Sequence, residues 1–317
     1  MAMNILILSC GTRVKLVQYF LQRENGFDKV VVTDCSNYAP ALYVADKYYI
    51  VPKMTEPDYL NSLLEICEKE HIKVVLPLQE DEVLLMAKER NVFEKKGCLV
   101  AISGYEQLML CKDKYKMYKF LHKNGIPTFY TEIAENCIET LQEREDIFVK
   151  PRWGAGSIGT MRVKSKCMLE ALIAESQEEL IVQPYIRGTE YGVDAYVDFV
   201  SAEIKALFCK KKIRMRAGET EKSISVKCLA IERLIENFIG TLDLRGALDI
   251  DVMEVQGEYY ILEVNPRFGG GYPHAYECGV NFPKLLSVNA NGRINQIEYR
   301  KYPQNIIGLK YTDIIVV

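Results

Sequence analysis

Four residues near the C-terminal end offer the chain's plainest chemistry: Asp251, Glu263, Asn265 and Arg267. Leu248, Ile250, Val252 and Val255 alternate with polar residues, Gly257 marks a turn, and Tyr259 to Val264 runs back, so the stretch reads as a β-hairpin. Period-two alternation puts Asp249, Asp251 and Met253 on one face and Leu248, Ile250 and Val252 on the other. On the return strand Ile261, Glu263 and Asn265 are expected to share a face, with Pro266 closing the strand. The hairpin thereby gathers Asp251, Glu263 and Asn265, with Arg267 just beyond. Three oxygen-bearing side chains on one patch suit a hard divalent cation. Mg²⁺ takes one or two carboxylates together with substrate phosphates. The plainer reading is a solvated hairpin with ordinary surface acids.

A second stretch, Asp146-Ile-Phe-Val-Lys150-Pro-Arg152-Trp-Gly154-Ala-Gly156-Ser157-Ile-Gly159, reads as a strand ending in Lys150 and a glycine-rich turn into another strand. Glycines let backbone N–H groups approach an anion closely, and Lys150 adds a point charge. A P-loop is not spelled, because G-x-x-x-x-G-K-[ST] is missing and the loop joins two strands. A third stretch, Lys210 to Arg216, holds three lysines and two arginines. Such a run is either a solvated face or a patch that neutralises phosphate and a substrate carboxylate.

The elements that must position these groups begin with an α/β unit over residues 1–103. Strands are expected at Asn4 to Leu8, Lys29 to Thr33, Tyr48 to Val51, Val74 to Leu78 and Cys98 to Ile102, with helical stripes between them. That alternation implies a parallel sheet covered on both faces. Strand, glycine turn, helix, then Asp34 after the second strand is the order of a dinucleotide site, yet Gly11 stands alone and G-x-G-x-x-G is absent. Next, Cys111-Lys112-Asp113-Lys114 opens a helix with Asp113 as its cap or a first-turn acid, and Leu180 to Gln183 forms a buried strand ending at Pro184. His274 and Cys278, four apart on a helix after the last glycines, read as a packed pair rather than a metal or catalytic one.

The 317 residues suffice for two or three packed units, and the net charge of −3 gives no basic excess for nucleic acid. No apolar run reaches the ~18–20 residues of a membrane span. The N-terminus lacks the marks of a signal peptide, and the ten scattered cysteines form no C-x-x-C pair. Reduced thiols in a cytoplasmic protein are expected.

Glu263-Val-Asn265-Pro266-Arg267, with Asp251 on the preceding strand, resembles the metal-binding strands of the ATP-grasp superfamily. The resemblance is to short stand-alone relatives of the carbamoyl-phosphate synthase large subunit, of the carboxylate–amine ligase type. It covers nearly the whole chain, most strongly at 147–162 and 249–271. The fold it implies is α/β: a Rossmann-like pre-ATP-grasp domain at 1–103, then a two-lobed ATP-grasp with a small lobe at 104–185 and a large, metal-binding and catalytic lobe at 186–317.

The activity implied is ATP- and Mg²⁺-dependent, ADP-forming activation of a carboxylate for attack by an amine, with Mn²⁺ as a substitute metal. Asp251, Glu263 and Asn265 would hold the metal. Lys114 (with Lys112 as fallback), Lys150, Gly154, Gly156, Ser157 and Lys210 would meet the phosphates. Gln183, Tyr185 and Ile186 would meet the adenine, and Glu190 the ribose. Arg267, Lys150 and Arg214 would act in catalysis. Thr12, Arg13 and the 77–81 turn are candidates for the second substrate, and specificity is expected in loops 9–13, 77–81, 210–219 and 267–278. The partners implied are a small-molecule carboxylate and amine, with a homodimer as the candidate assembly. The competing readings are a non-catalytic ATP-binding module and an NAD-dependent oxidoreductase.

Overall fold

The computed structural model describes residues 2–317 except 140–145, 155–157 and 298–300. Its strands are β1 (Asn4–Leu8), β2 (Lys29–Asp34), β3 (Lys47–Ile50), β4 (Ile72–Pro77), β5 (Leu99–Val100), β6 (Glu132–Ile133), β7 (Ile147–Pro151), β8 (Met161–Val163), β9 (Leu180–Pro184), β10 (Thr189–Val197), β11 (Ile204–Arg216), β12 (Glu219–Val226), β13 (Gly246–Val255), β14 (Glu258–Asn265) and β15 (Ile307–Leu309).

The first five strands form a parallel sheet in the order β3-β2-β1-β4-β5. β1 is apolar from Ile5 to Leu8 because both of its faces are covered: Ile5 and Ile7 enter one core, Leu6 and Leu8 another. The chain reverses strand order beside β1, which places a crevice at the carboxyl ends of β1 and β4. Gly11, at φ 46°, makes the turn there, and its N–H donates to Asp34 Oδ2 at 2.9 Å. Asp34 Oδ1 accepts from the Ser36 N–H at 3.0 Å. The carboxylate that would read a dinucleotide ribose is therefore engaged by its own backbone.

A four-stranded antiparallel sheet, β6-β9-β7-β8, has its own small core of Val149, Val163, Leu169, Leu180 and their neighbours. A six-stranded sheet, β14-β13-β10-β11-β12-β15, is the larger platform. Its apolar face carries Val193, Ala195, Leu207, Cys209, Leu248, Ile250 and Val264 and packs against the helix Leu229–Ile239. The opposite face carries the charged residues described below.

Three sequence expectations need correction. The basic run is no connection between strands, since β11 continues unbroken to Arg216. Cys111 and Lys112 end one helix, Tyr105–Lys112, and the next, Lys114–Lys123, starts after Asp113. Ile261 does not share a face with Glu263 and Asn265. Asp251 pairs with Glu263 but Val252 pairs with Ile261, so Leu262 is a β-bulge that returns Ile261 to the buried face.

Packing also cuts across the expected lobes. Met117, Leu121 and Ile126 join the core of the six-stranded sheet, although residues 104–185 were assigned to the small lobe. Phe268, Tyr272, Phe282, Leu285 and Leu286 join the core of the parallel sheet.

Asp113 ties two segments together. It caps the second helix, accepting from the Lys116 N–H at 3.0 Å, and grips Arg152 through both carboxylate oxygens. Its side chain is fully buried. Replacement Asp113→Ala removes the cap and leaves the Arg152 guanidinium with Glu179 alone, so urea unfolding is expected to show a loss of about 2–3 kcal/mol.

Candidate functional site

The hairpin expected from the sequence is present. Val255 pairs with Glu258 across a two-residue turn in which Gln256 and Gly257 both have positive φ, 53° and 89°. That turn matches the strand twist and fixes the register. Asp251 then lies opposite Glu263, and Asp249 opposite Asn265. On the adjoining strand Asp194 lies beside Asp249, and Gly192 beside Asp251.

The polar face therefore concentrates carboxylates, and lysines balance them. Lys210 Nζ donates to Asp194, both side chains being almost fully buried. Lys212 Nζ lies 2.7 Å from Asp251 Oδ1 and 3.8 Å from Glu190 Oε2. Lys114 Nζ stands 3.6 Å from Glu263 Oε1 and also donates to the Gly154 carbonyl. Burial pushes the Asp251 carboxyl up, Lys212 pulls it down, and Glu263 and Glu190 add to the upward shift. Burial and the neighbouring Asp251 raise Asp249 as well.

Gly192 makes the lysine arrangement possible. Lys210 and Lys212 start on β11 and reach toward β13 over β10. A Cβ at position 192 would sit 3.1 Å from Lys210 Cε and 3.5 Å from Lys212 Cε.

One cleft runs along the end of β14. At one end it is bounded by Lys150, Gln183, Thr131 and Met117; at the other by Arg267, Glu80, Lys112 and Gly154. Lys114 and Glu263 line both ends. Lys150 is 9% exposed, and burial lowers its pKa to about 8; Glu263 opposes that shift and Lys114 adds to it. Arg267 donates to Glu80 Oε1 at 3.0 Å and to Asn265 Oδ1 at 3.4 Å, with Asp249 Oδ2 4.0 Å away. It thus joins the hairpin to the N-terminal domain.

Of the residues singled out from sequence, the structure brings together Lys114, Lys150, Gly154, Gln183, Glu190, Lys210, Asp251, Glu263, Asn265 and Arg267 around this face and cleft. Gly156 and Ser157 lie outside the described residues. Tyr185 and Ile186 follow β9 but line neither end of the cleft, and Tyr185 instead stacks under Arg162 at 4.0 Å. Arg214 stands apart as well. Its side chain is 62% exposed and pairs with Glu221 at 3.0 Å, beyond a register shift in β11. Lys112 turns to Asp81, leaving Lys114 as the helix-start lysine on Glu263. His274 packs against Phe208 and shares a 2.8 Å hydrogen bond with Ser223, as a packed histidine should.

Lys212 was missed as a site residue. The available signal was its spacing of two from Lys210, which keeps both on one strand face. Asp249 was placed on the acid face but given no role.

Among the described residues, no three His, Cys, Asp or Glu side chains are grouped to hold a metal by themselves. The donor set fits Mg²⁺ nonetheless, because that ion takes few protein carboxylates and completes its shell with phosphate and water. The crowding of Asp249, Asp251 and Glu263 favours an added cation.

A two-lobed α/β cleft with lysines facing paired carboxylates is the architecture of a nucleotide-dependent ligase fold. The pattern for an ATP-grasp domain matches residues 111–271, and that for a PylC-like, N-terminal domain matches 5–101; the chain belongs to the ATP-grasp family. It is 24% identical over 264 residues to the arginine-specific carbamoyl phosphate synthase large chain of Geobacillus stearothermophilus, covering 78% of this chain and 24% of that one. The chain thus spans about a quarter of that relative's length.

Among solved structures, N5-carboxyaminoimidazole synthetase of Staphylococcus aureus, complexed with ADP, superposes with a TM-score of 0.74 at 17% identity. The match covers 98% of this chain and 81% of that one. An L-amino acid ligase of Bacillus licheniformis gives 0.70 at 17% identity over 91% and 74%. No helix among the described residues is long and apolar enough to cross a membrane.

Lys150 offers a direct test of the site's electrostatics. Carbon-13 NMR of its side chain, assigned with Lys150→Arg, should show a titration near pH 8. Glu263→Gln removes a neighbouring negative charge and should lower that midpoint, whereas Lys114→Met should raise it.

Proposed function

We propose that the chain is an ATP-dependent ligase that activates a carboxylate as an acylphosphate and passes the acyl group to an amine, releasing ADP and phosphate. The observation that carries this reading is the cleft itself. It offers a desolvated lysine, Lys150, and a second lysine, Lys114, beside the Asp251–Glu263 pair, with Arg267 at its far end. Gln183 and Lys150 mark the nucleotide end; Arg267 and Glu80 mark the substrate end.

Mg²⁺, or Mn²⁺ in its place, would be held by Asp251, Glu263 and Asn265, and would supply neutralisation of the β- and γ-phosphate charge. Lys150 and Lys114 stabilise the γ-phosphoryl group as it leaves the β-phosphate oxygen for the carboxylate oxygen, a transfer that depends on positioning and electrostatics. Triphosphate binding favours the charged form of Lys150, so the lysine takes up a proton wherever it was neutral beforehand. Arg267 holds the carboxylate, then the acylphosphate. The amine nitrogen attacks the acyl carbon, the carbon–oxygen bond to phosphate breaks, and the nitrogen sheds its proton.

A binding-only module has no need of Arg267 at the substrate end, and the occupied Asp34 argues against an NAD enzyme. Calorimetry with a non-hydrolysable ATP analogue is the test. Wild type should bind only with Mg²⁺, and Lys150→Ala and Glu263→Ala should each weaken binding about tenfold or more. Binding indifferent to both changes would sink the reading.

A further inference from the structure

Beyond the nucleotide cleft, five charged groups from four segments converge on the backbone of Gly269-Gly270-Gly271. A Cβ on Gly269 would sit 2.6 Å from Asp249 Oδ2. One on Gly270 would sit 2.6 Å from Glu219 Oε1 and 3.0 Å from Arg13 Nη1, and one on Gly271 would sit 2.9 Å from Lys210 Nζ. Arg267 flanks the run on its N-terminal side and lies close enough to Arg13 for each positive charge to oppose the other. Arg13 and Glu219 thus meet over Gly270, with Arg267 on the N-terminal side of the run, and only glycine lets these side chains lie so close to the backbone floor.

The groups over Gly270 carry opposite charges. Arg13 is partly buried, and its ion-pair partner is Glu219, at 3.5 Å. Glu219 in turn holds the ammonium of Lys310, which follows β15. Burial works against the charge on Glu219, but Lys310 and Arg13 hold its carboxyl below the usual range. An alkyl ammonium already sits on this carboxylate, supplied by the chain itself. Lys310 is fixed there by its backbone N–H, which donates to the Glu221 carbonyl at 2.8 Å.

We propose that this floor receives the carboxylate to be activated as part of an amino acid, whose ammonium replaces that of Lys310 on Glu219 while its carboxylate meets Arg13 and Arg267. The inference rests on the ligase reading above and names its acyl substrate. Glu219 is the specificity-determining residue, because it gives a substrate ammonium a charged partner that a simple carboxylic acid has no group to use. Lys310 holds the place until substrate arrives.

Hydroxylamine as nucleophile makes the test independent of the natural amine. The full chain is given Mg-ATP, hydroxylamine and each of the twenty L-amino acids, and hydroxamate and ADP are measured together. At least one amino acid should give both products, and its N-acetyl and deaminated counterparts neither. Glu219→Gln should raise the KM for that amino acid about tenfold or more, the scale of a lost charge-assisted contact, with ATP-analogue affinity unchanged.

Lys310→Ala should lower the same KM about threefold by freeing the carboxylate, a gain that misfolding cannot mimic. Equal turnover of the deaminated acid, turnover of no amino acid by a protein that binds the ATP analogue, or a KM unmoved in both variants would overturn the proposal. If the analogue fails to bind, the ligase reading falls by itself. Amino-acid binding without nucleotide, followed by calorimetry in wild type and Glu219→Gln, then decides the floor: binding lost in the variant supports it, and absence of binding in wild type refutes it.

Discussion

Like charges placed opposite one another on a sheet repel, and here they are placed so on three adjacent strands: Asp194 on β10, Asp249 and Asp251 on β13, and Glu263 on β14. The rest of the site is arranged to make that crowding tolerable. Lys210 answers Asp194, Lys212 answers Asp251, Lys114 answers Glu263, and Arg267 stands beside Asp249. These cations arrive from β11, from the start of a helix and from the loop after β14, so the electrostatic balance of one sheet face fixes the relative placement of three parts of the chain. Removing one member of such a set leaves its partner buried and uncompensated, which costs more than the pair contributes.

In the ligand-free protein the lysines neutralise carboxylates; on the proposed function, a divalent cation would take their place on the carboxylates and the lysines would turn to phosphate. Lys150 is buried beside the same face, and that burial, only partly offset by Glu263 and Asp251, depresses its pKa.

How much of this was legible in the sequence depended on the range of the interaction. The hairpin could be read because Gln256-Gly257 and strict alternation specify a turn and a register locally, and so Asp251, Glu263 and Asn265 were found together. The parallel sheet could be read for the same reason, from five short apolar runs. Leu262 could not be read as a bulge. The departure from alternation is one residue long, and its cause lies elsewhere: Ile261 pairs through its N–H with the Pro127 carbonyl and its carbonyl accepts from Thr128, both remote in sequence. Lys212 escaped because its role depends on Gly192, 20 residues earlier in the chain and across a sheet that only topology supplies. Arg214 looked equivalent to Lys210 until the register shift in β11 turned it toward Glu221.

The shared core beneath the parallel sheet has a consequence for how the molecule is made. Phe20 and Phe27 pack with Phe268, Tyr272 and Phe282, so one face of the first domain stays open until residues near 286 have left the ribosome. The matched domain segments end at 101 and 271, but the hydrophobic unit does not. A chain built this way folds its first-synthesised sheet last, because closing that face waits on contacts between residues some 250 positions apart, whose loop-closure cost falls late in the folding sequence.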